Sequence, residues 1–315
     1  MQVLTQEALE KVVVYEEFDA FLENSLRTFR PESLVQAKRE VVRLDESSLW
    51  LIMPVVDLSS DSMLVKMVSE YKRNPERGLP KATGITQLIK ASDGSVLGLF
   101  DSHFLTGLRT SSLAAIATKF LSRRESRTLG VIGSGYEARL ITEGVLRVRA
   151  GIDTIKVYSR SPERRREFAL RLTSRVRALP VESAKDAICN TDILVLATDS
   201  LTPVLDGEFV SPGTHVISIG TLPERRELDR ITLAKSRTVV ADRPDAVLAE
   251  AGDIADAVSS GIIKKEAIVD LVDVIKGRSI VERTDQDITV YKSVGFAYLD
   301  LVAALYIKTK LEASS

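Results

Sequence analysis

Four stretches of the chain carry residue types that could do chemistry. Gly133-Ser134-Gly135-Tyr136-Glu137-Ala138 follows the strand-like TLGVI and opens the helical EARLITEGVLRV. Glycine at 133 suits a tight turn, glycine at 135 lets the backbone approach a pyrophosphate, and Ala138 is small enough for helix–sheet packing. The free N–H groups of the helix start would then face the anion. A strand before, a helix after and a second strand, IKVYSR, at the right distance favour dinucleotide binding over a plain tight turn. That second strand ends Val157-Tyr158-Ser159-Arg160-Ser161-Pro162, without the Asp or Glu that binds a ribose 2′-hydroxyl in NAD sites. Ser159, Arg160 and Ser161, then Arg164, Arg165 and Arg166, suit a 2′-phosphate, so NADP(H) is the preferred cofactor and NAD(H) the alternative. The plainer reading makes Ser161 an N-cap and Pro162 the first helical residue. Arginines at a helix start oppose its macrodipole, which is a reason to expect an anion there.

Arg109-Thr110-Ser111-Ser112 lies in the first turns of a helix expected over 106–122, with Thr106 as N-cap. A guanidinium and hydroxyls beside a helix start can hold a carboxylate or phosphate; a surface arginine is the plain alternative. Lys66 sits in the apolar run MLVKMV. Lysine is seldom buried without a partner, so the residues alone favour an exposed strand face. A desolvated lysine would instead have a lowered pKa and could act as a general acid or base. The histidines, His103 and His215, are far apart, and Cys189 is the single cysteine. That excludes an internal disulfide or a multi-thiolate zinc site, and no metal is expected.

With 43 Lys and Arg against 44 Asp and Glu, the net charge is −1, so nothing points to nucleic acid or an acidic membrane as partner. No run approaches the ~20 apolar residues of a membrane span, and the acid-containing N-terminus does not read as a signal peptide. The expected compartment is the cytoplasm. A length of 315 residues suggests two domains, or one large one. Residues 6–29 read as one or two amphipathic helices. Residues 35–105 hold β-rich runs without helices, hence a mostly antiparallel sheet, with a hairpin at Ser92-Asp93-Gly94. SRRESRT then reads as a linker. From 128 onward, strands TLGVIG, IKVYSR, ILVLAT, HVISIG and TVVAD alternate with helices, which indicates an α/β doubly wound parallel sheet. DITVY at 287–291 is strand-like, and SVGFAYLDLVAALYIKT should form a buried helix.

An ordered series of motifs resembles the ornithine cyclodeaminase/mu-crystallin family, which includes archaeal-type alanine dehydrogenases and ketimine reductases. The series runs VQAKREVV (35–42), Met53-Pro54, Lys66, Gly78-Leu79-Pro80, LTGLRTSSLAAIATKFL (105–121) and GVIGSGYEA. It continues through ATDSLTPVL (197–205), RELD (226–229), AGDI (251–254) and DITVYKSVGFAYLDL (287–301). The resemblance implies a Rossmann domain, 118–287, inserted into a substrate-binding and dimerisation α/β domain, 1–117 completed by 288–315. It implies hydride transfer between a nicotinamide cofactor and the α-carbon of a small L-amino acid or its 2-imino acid, cyclic ketimines included. Arg39 and Arg109 look like the carboxylate clamp, and Lys66 the catalytic residue beside the reacting carbon. Thr110 resembles a cofactor-phosphate contact; Thr198, Ser293 and Val294 resemble cofactor contacts, the last two near the nicotinamide. A homodimer through the N-terminal sheet is implied as well. The family's cyclodeaminases carry an aspartate shortly after the strand that reads HVISIG here, whereas this chain continues Thr221-Leu222-Pro223-Glu224. That departure favours an imine reductase or amino-acid dehydrogenase over a cyclodeaminase converting L-ornithine to L-proline and ammonia. A non-catalytic NADPH-binding protein is the third alternative, and the set Lys66, Arg39 and Arg109 argues against it.

Overall fold

The computed structural model describes residues 3–313. The chain forms two compact units, one from the residues up to Thr110 and from Phe296 onward, the other from Ser111 to Gly295. The borders of these units fall at 110/111 and 295/296, beside the 117/118 and 287/288 that the resemblance implies.

The first unit opens with α1 (Gln6–Glu10) and α2 (Tyr15–Thr28), which buries Phe18, Leu22 and Leu26 along one face. The strands β1 (Leu34–Gln36), β2 (Glu40–Arg43), β3 (Ser48–Asp57), β4 (Ser62–Tyr71), β5 (Ala82–Lys90) and β6 (Val96–Asp101) follow, joined by turns and short 3-10 segments. They pair antiparallel in the order β1-β3-β4-β5-β6, with β2 also on β3. The turn at Ser92-Asp93-Gly94 joins β5 to β6, and Gly94 takes the positive φ of +75° that such a turn needs. Side chains alternate with period two. Met53, Leu64, Lys66, Thr86, Leu88 and Phe100 are buried on one face. The rows Ile52-Met67-Ile85 and Val56-Met63-Ile89 make the other face apolar but only half-buried.

β6 runs straight into α3 (Ser102–Leu121). The Asp101 carboxylate accepts the Phe104 N–H at 2.9 Å and caps this start. The expected start at Thr106 is thus one turn late: its hydroxyl lies inside the helix and donates to the Ser102 carbonyl at 2.6 Å. The expected linker is fastened rather than loose. Arg149, itself buried, donates to the carbonyls of Thr118, Lys119, Ser122 and Arg123 at the end of α3, where a helix leaves acceptors unsatisfied.

The second unit continues with β7 (Thr128–Ile132), α4 (Tyr136–Val148), β8 (Thr154–Tyr158), α5 (Pro162–Leu172), β9 (Arg177–Pro180), α6 (Ala184–Ile188) and β10 (Ile193–Leu196). After β11 (His215–Ser218) come α7 (Arg230–Lys235), β12 (Ser236–Ala241), α8 (Pro244–Glu250), α9 (Gly252–Ser259), β13 (Ile268–Asp270), α10 (Leu271–Ile275) and β14 (Ile288–Lys292). All eight strands of this sheet are parallel, in the order β13-β12-β14-β11-β10-β7-β8-β9. Wholly buried runs such as Ile193–Leu196 are what a parallel sheet covered on both faces requires. β14 pairs with β11 on one side and β12 on the other, which is why this segment belongs here and not with the first unit. The chain then re-enters the first unit as α11 (Ala297–Ala313), packed on α2, β3, β4 and β6.

Candidate active site

In the first unit, Lys66 stands midway along β4, opposite Met53 of β3 and Thr86 of β5. It is only 3 % exposed, which overturns the expectation of a solvated strand face. The reason is α11, which packs over this face and brings down Asp300. The Lys66 Nζ donates to Asp300 Oδ1 at 2.8 Å and to Thr106 Oγ1 at 2.6 Å. Arg109 is also buried, with Nε 3.5 Å from the same Asp300 oxygen. Because α3 starts at Ser102, Arg109 lies about two turns inside it, and the guanidinium rather than the helix N-terminus would grip an anion. Thr106 and Arg109 are three apart, hence on one helix face. Thr110, the last residue of this unit, is buried next along α3.

Burial pushes the Lys66 ammonium down to about 8; Asp300 opposes that shift, while Arg109 and Arg39 reinforce it. Burial also works against a charge on Asp300, yet Lys66, Arg109 and Arg39 together hold its carboxyl below the usual range. Asp300 Oδ2 is buried with no hydrogen-bond partner among the described residues. The cluster thus offers an ammonium that can release a proton near neutral pH beside a guanidinium suited to a carboxylate. Asp300 was not foreseen from the sequence. Its signal was there: an acid among the apolar residues of AYLDLVAAL, where a buried carboxylate needs a partner.

In the second unit, the paired residues Ala241, Lys292, Ser218, Leu196, Ile132 and Tyr158 form one row across the carboxyl ends of six strands. The expected cofactor residues of this unit follow just past that row. Gly133 to Ala138 leave β7, Ser159 to Ser161 leave β8, Thr198 leaves β10, and Ser293 and Val294 leave β14. Between β10 and β7 the strand order reverses, the switch point where doubly wound sheets bind ligands.

Gly133 has φ +120°, and a Cβ there would lie 2.3 Å from the Ala197 carbonyl oxygen, so conformation and packing both require glycine. A Cβ on Gly135 would meet nothing within 4 Å, so protein packing makes no such demand. That leaves the start of α4 open to the close approach of a diphosphate. Gly135 also caps α4 without a side-chain bond to the first-turn amides, and Ala138 is fully buried against the sheet. These residues fit a dinucleotide.

At the tip of β8, Ser161 is the N-cap of α5: its hydroxyl accepts the Arg164 N–H at 3.2 Å. Ser159 donates to the Ser161 carbonyl at 3.1 Å, while Arg160 and Arg164 are exposed. Arg165 turns inward, pairs with Glu182 and donates to the Ser159 carbonyl. Two residues unforeseen from the sequence hold the neighbouring loops. Asp242 accepts the Ser293 hydroxyl at 2.8 Å and the N–H groups of Val294 and Gly295 at 3.2 and 2.6 Å. Glu227 accepts both the N–H and the hydroxyl of Thr198. No local spacing announces such partners. Among the described residues no group of His, Cys, Asp and Glu forms a metal site, and no helix is long and apolar enough to cross a membrane.

A doubly wound sheet with this glycine turn, in a chain whose other unit buries a lysine among arginine and aspartate, defines a nicotinamide-dependent oxidoreductase. The chain belongs to the ornithine cyclodeaminase/mu-crystallin family, whose model matches residues 1–315. It is 31% identical over 315 residues to a Delta(1)-pyrroline-2-carboxylate reductase of Bacillus cereus, covering 98% of this chain and 96% of that protein. A solved Delta(1)-pyrroline-2-carboxylate reductase of Thermococcus litoralis, in complex with NADH and L-proline, matches with a TM-score of 0.94 and 31% identity. That match covers 100% of this chain and 98% of the other. An archaeal alanine dehydrogenase dimer with bound NAD matches with a TM-score of 0.90 at 28% identity, covering 99% and 96%.

Proposed function

We propose that this protein reduces a small 2-imino acid, cyclic ketimines of the pyrroline-2-carboxylate kind included, to the L-amino acid, and catalyses the reverse oxidation. The observation that carries this reading is the Lys66–Asp300 pair, buried at 2.8 Å beside Arg109. Gly133 to Ala138, Thr198, Ser293 and Val294, with Thr110 as the expected phosphate contact, would hold the dinucleotide, which would supply or accept the hydride at the C–N carbon. Arg109, with Arg39, grips the substrate carboxylate, for which a planar guanidinium offers paired donors. Lys66 Nζ delivers a proton to the substrate nitrogen, and Asp300 holds the ammonium in place before transfer. Exclusion of water from this cluster strengthens each of these interactions.

The cofactor is NADPH in preference to NADH. Ser159, with the exposed Arg160 and Arg164, stands where an acid would otherwise repel a 2′-phosphate. Calorimetric titration of both cofactors tests this, and tighter NADH binding would reverse it. The apolar face of Ile52, Met67, Ile85, Val56, Met63 and Ile89 joins two copies into a homodimer. A monomer by light scattering at micromolar concentration would exclude that assembly.

The deciding experiment is a spectrophotometric screen of five- and six-membered cyclic ketimines, open imino acids and L-amino acids with each cofactor. Steady oxidation of NADPH by a ketimine is the expected outcome. Conversion of L-ornithine to L-proline without net change at the nicotinamide absorbance band would put a cyclodeaminase in its place.

A further inference from the structure

Glu227 lies between β11 and α7 and is fully buried. Its Oε1 accepts the Thr198 N–H at 2.6 Å and the Thr198 hydroxyl at 2.9 Å. Its Oε2 accepts the Ser218 hydroxyl at 2.7 Å and the N–H groups of Ile219 and Gly220 at 3.1 and 2.8 Å. The Glu227 N–H in turn donates to Asp253 Oδ2 at 3.1 Å, and that oxygen also accepts Lys292 Nζ at 2.9 Å. Lys292 donates onward to Ser218 Oγ at 2.9 Å. One carboxylate therefore ties the loop leaving β10 to the loop leaving β11, and the network behind it reaches β14. Only a group with two acceptor oxygens and no donor can serve backbone N–H groups on both sides at once.

The loop that Glu227 holds touches the glycine turn. A Cβ on Gly133 would lie 2.3 Å from the Ala197 oxygen and 3.6 Å from Thr198 Cγ2. In a doubly wound sheet, the strands on either side of the switch point take opposite halves of a dinucleotide. The glycine turn after β7 takes the diphosphate, so the β10 and β11 side is left for the nicotinamide half. We infer that Glu227 is a positioning residue for that half: it sets Thr198 and the 219–220 turn without touching the ligand. The inference rests on the dinucleotide reading of this unit.

Glu227→Gln keeps the size of the side chain but sets an NH2 group against backbone N–H donors on one side, whichever way the amide turns. Facing Thr198 orphans one backbone N–H and facing Ile219 and Gly220 orphans two, so the variant should release Thr198. Calorimetry with NADPH and NADH, and with the half-molecules 2′-phospho-ADP and ADP, which keep the diphosphate but lack the nicotinamide and its ribose, reads the result. Whole-dinucleotide affinity should fall about tenfold or more, since small misplacements of bound groups are costly. Affinity for the half-molecules should stay at the wild-type value. Equal losses for both, or no loss for either, overturn the inference. Should Glu227→Gln fail to fold, Ser218→Ala removes one of the same donors and should show a smaller loss, again confined to the whole dinucleotide. An unselective loss, or none, in that variant overturns the inference as well. A wild-type protein that binds neither the dinucleotides nor their halves overturns the dinucleotide reading itself, and this inference with it.

Discussion

Each unit buries a lysine–aspartate pair, and the two pairs differ in what surrounds them. Lys66–Asp300 in the first unit spans 2.8 Å and Lys292–Asp253 in the second 2.9 Å, with side chains at most 4% exposed. The donors around the second pair all come from the scaffold. Asp253 accepts Lys292, the N–H groups of Glu227 and Leu228, and the N–H of Ile254. Lys292 adds the Ser218 hydroxyl. That pair locks strand ends together. Around the first pair, Arg109 and Arg39 add positive charge beside Lys66, and Asp300 Oδ2 has no hydrogen-bond partner among the described residues. Burial of an ion pair is thus not in itself a sign of chemistry. The sign is an acceptor, Asp300 Oδ2, that the described residues leave unused.

The largest effects should separate the pairs outright. Lys66→Met should lower kcat by ~10²–10⁴-fold, the usual worth of general acid–base catalysis, while dinucleotide affinity by calorimetry stays at the wild-type value. If the variant keeps more than about a tenth of wild-type kcat, the lysine has no part in proton transfer. Lys292→Met should instead act on stability. Leaving Asp253 buried without its cation costs about 3–5 kcal/mol, read as a lower melting temperature or denaturant midpoint. Lys66→Met should destabilise less, because Arg109 remains beside Asp300. The reverse order would break the comparison.

A milder change sharpens the first pair. Arg109→Lys keeps the charge but loses the planar fork, so KM for the imino acid should rise about tenfold, with a smaller loss of kcat from poorer orientation. The mildest test is pH. Imine reduction that draws its proton from Lys66 should slow as pH rises through about 8. Stability should move the other way. The folded-state pKa of Lys66 lies below its ordinary 10.5, so between about 8 and 10.5 the unfolded chain binds more protons. Stability therefore gains with rising pH across that window. Unfolding measured across the window should show this slope in the wild type and a flatter one in Lys66→Met.

The sequence by itself determined what local backbone geometry controls. Gly133, Gly135 and Ala138 announce their turn within six residues, because positive φ and close approach are properties of single positions. β-rich runs without intervening helices over 35–105, and short apolar runs alternating with helices from 128, announce the two sheets. Ser161 is legible as an N-cap because its partner is three residues away. What only the tertiary structure decided is what covers each surface. Lys66 reads as exposed within MLVKMV, and its partner Asp300 arrives 234 residues later on α11. Glu227 meets Thr198 across 29 residues, and Asp242 meets Ser293 across 51. DITVY is legible as a strand, but that β11 and β12 take both its edges is not. Burial, and with it the pKa of Lys66 and the hold on the loops after β10 and β14, depends on which distant elements pack together, and short-range spacing carries no record of that choice.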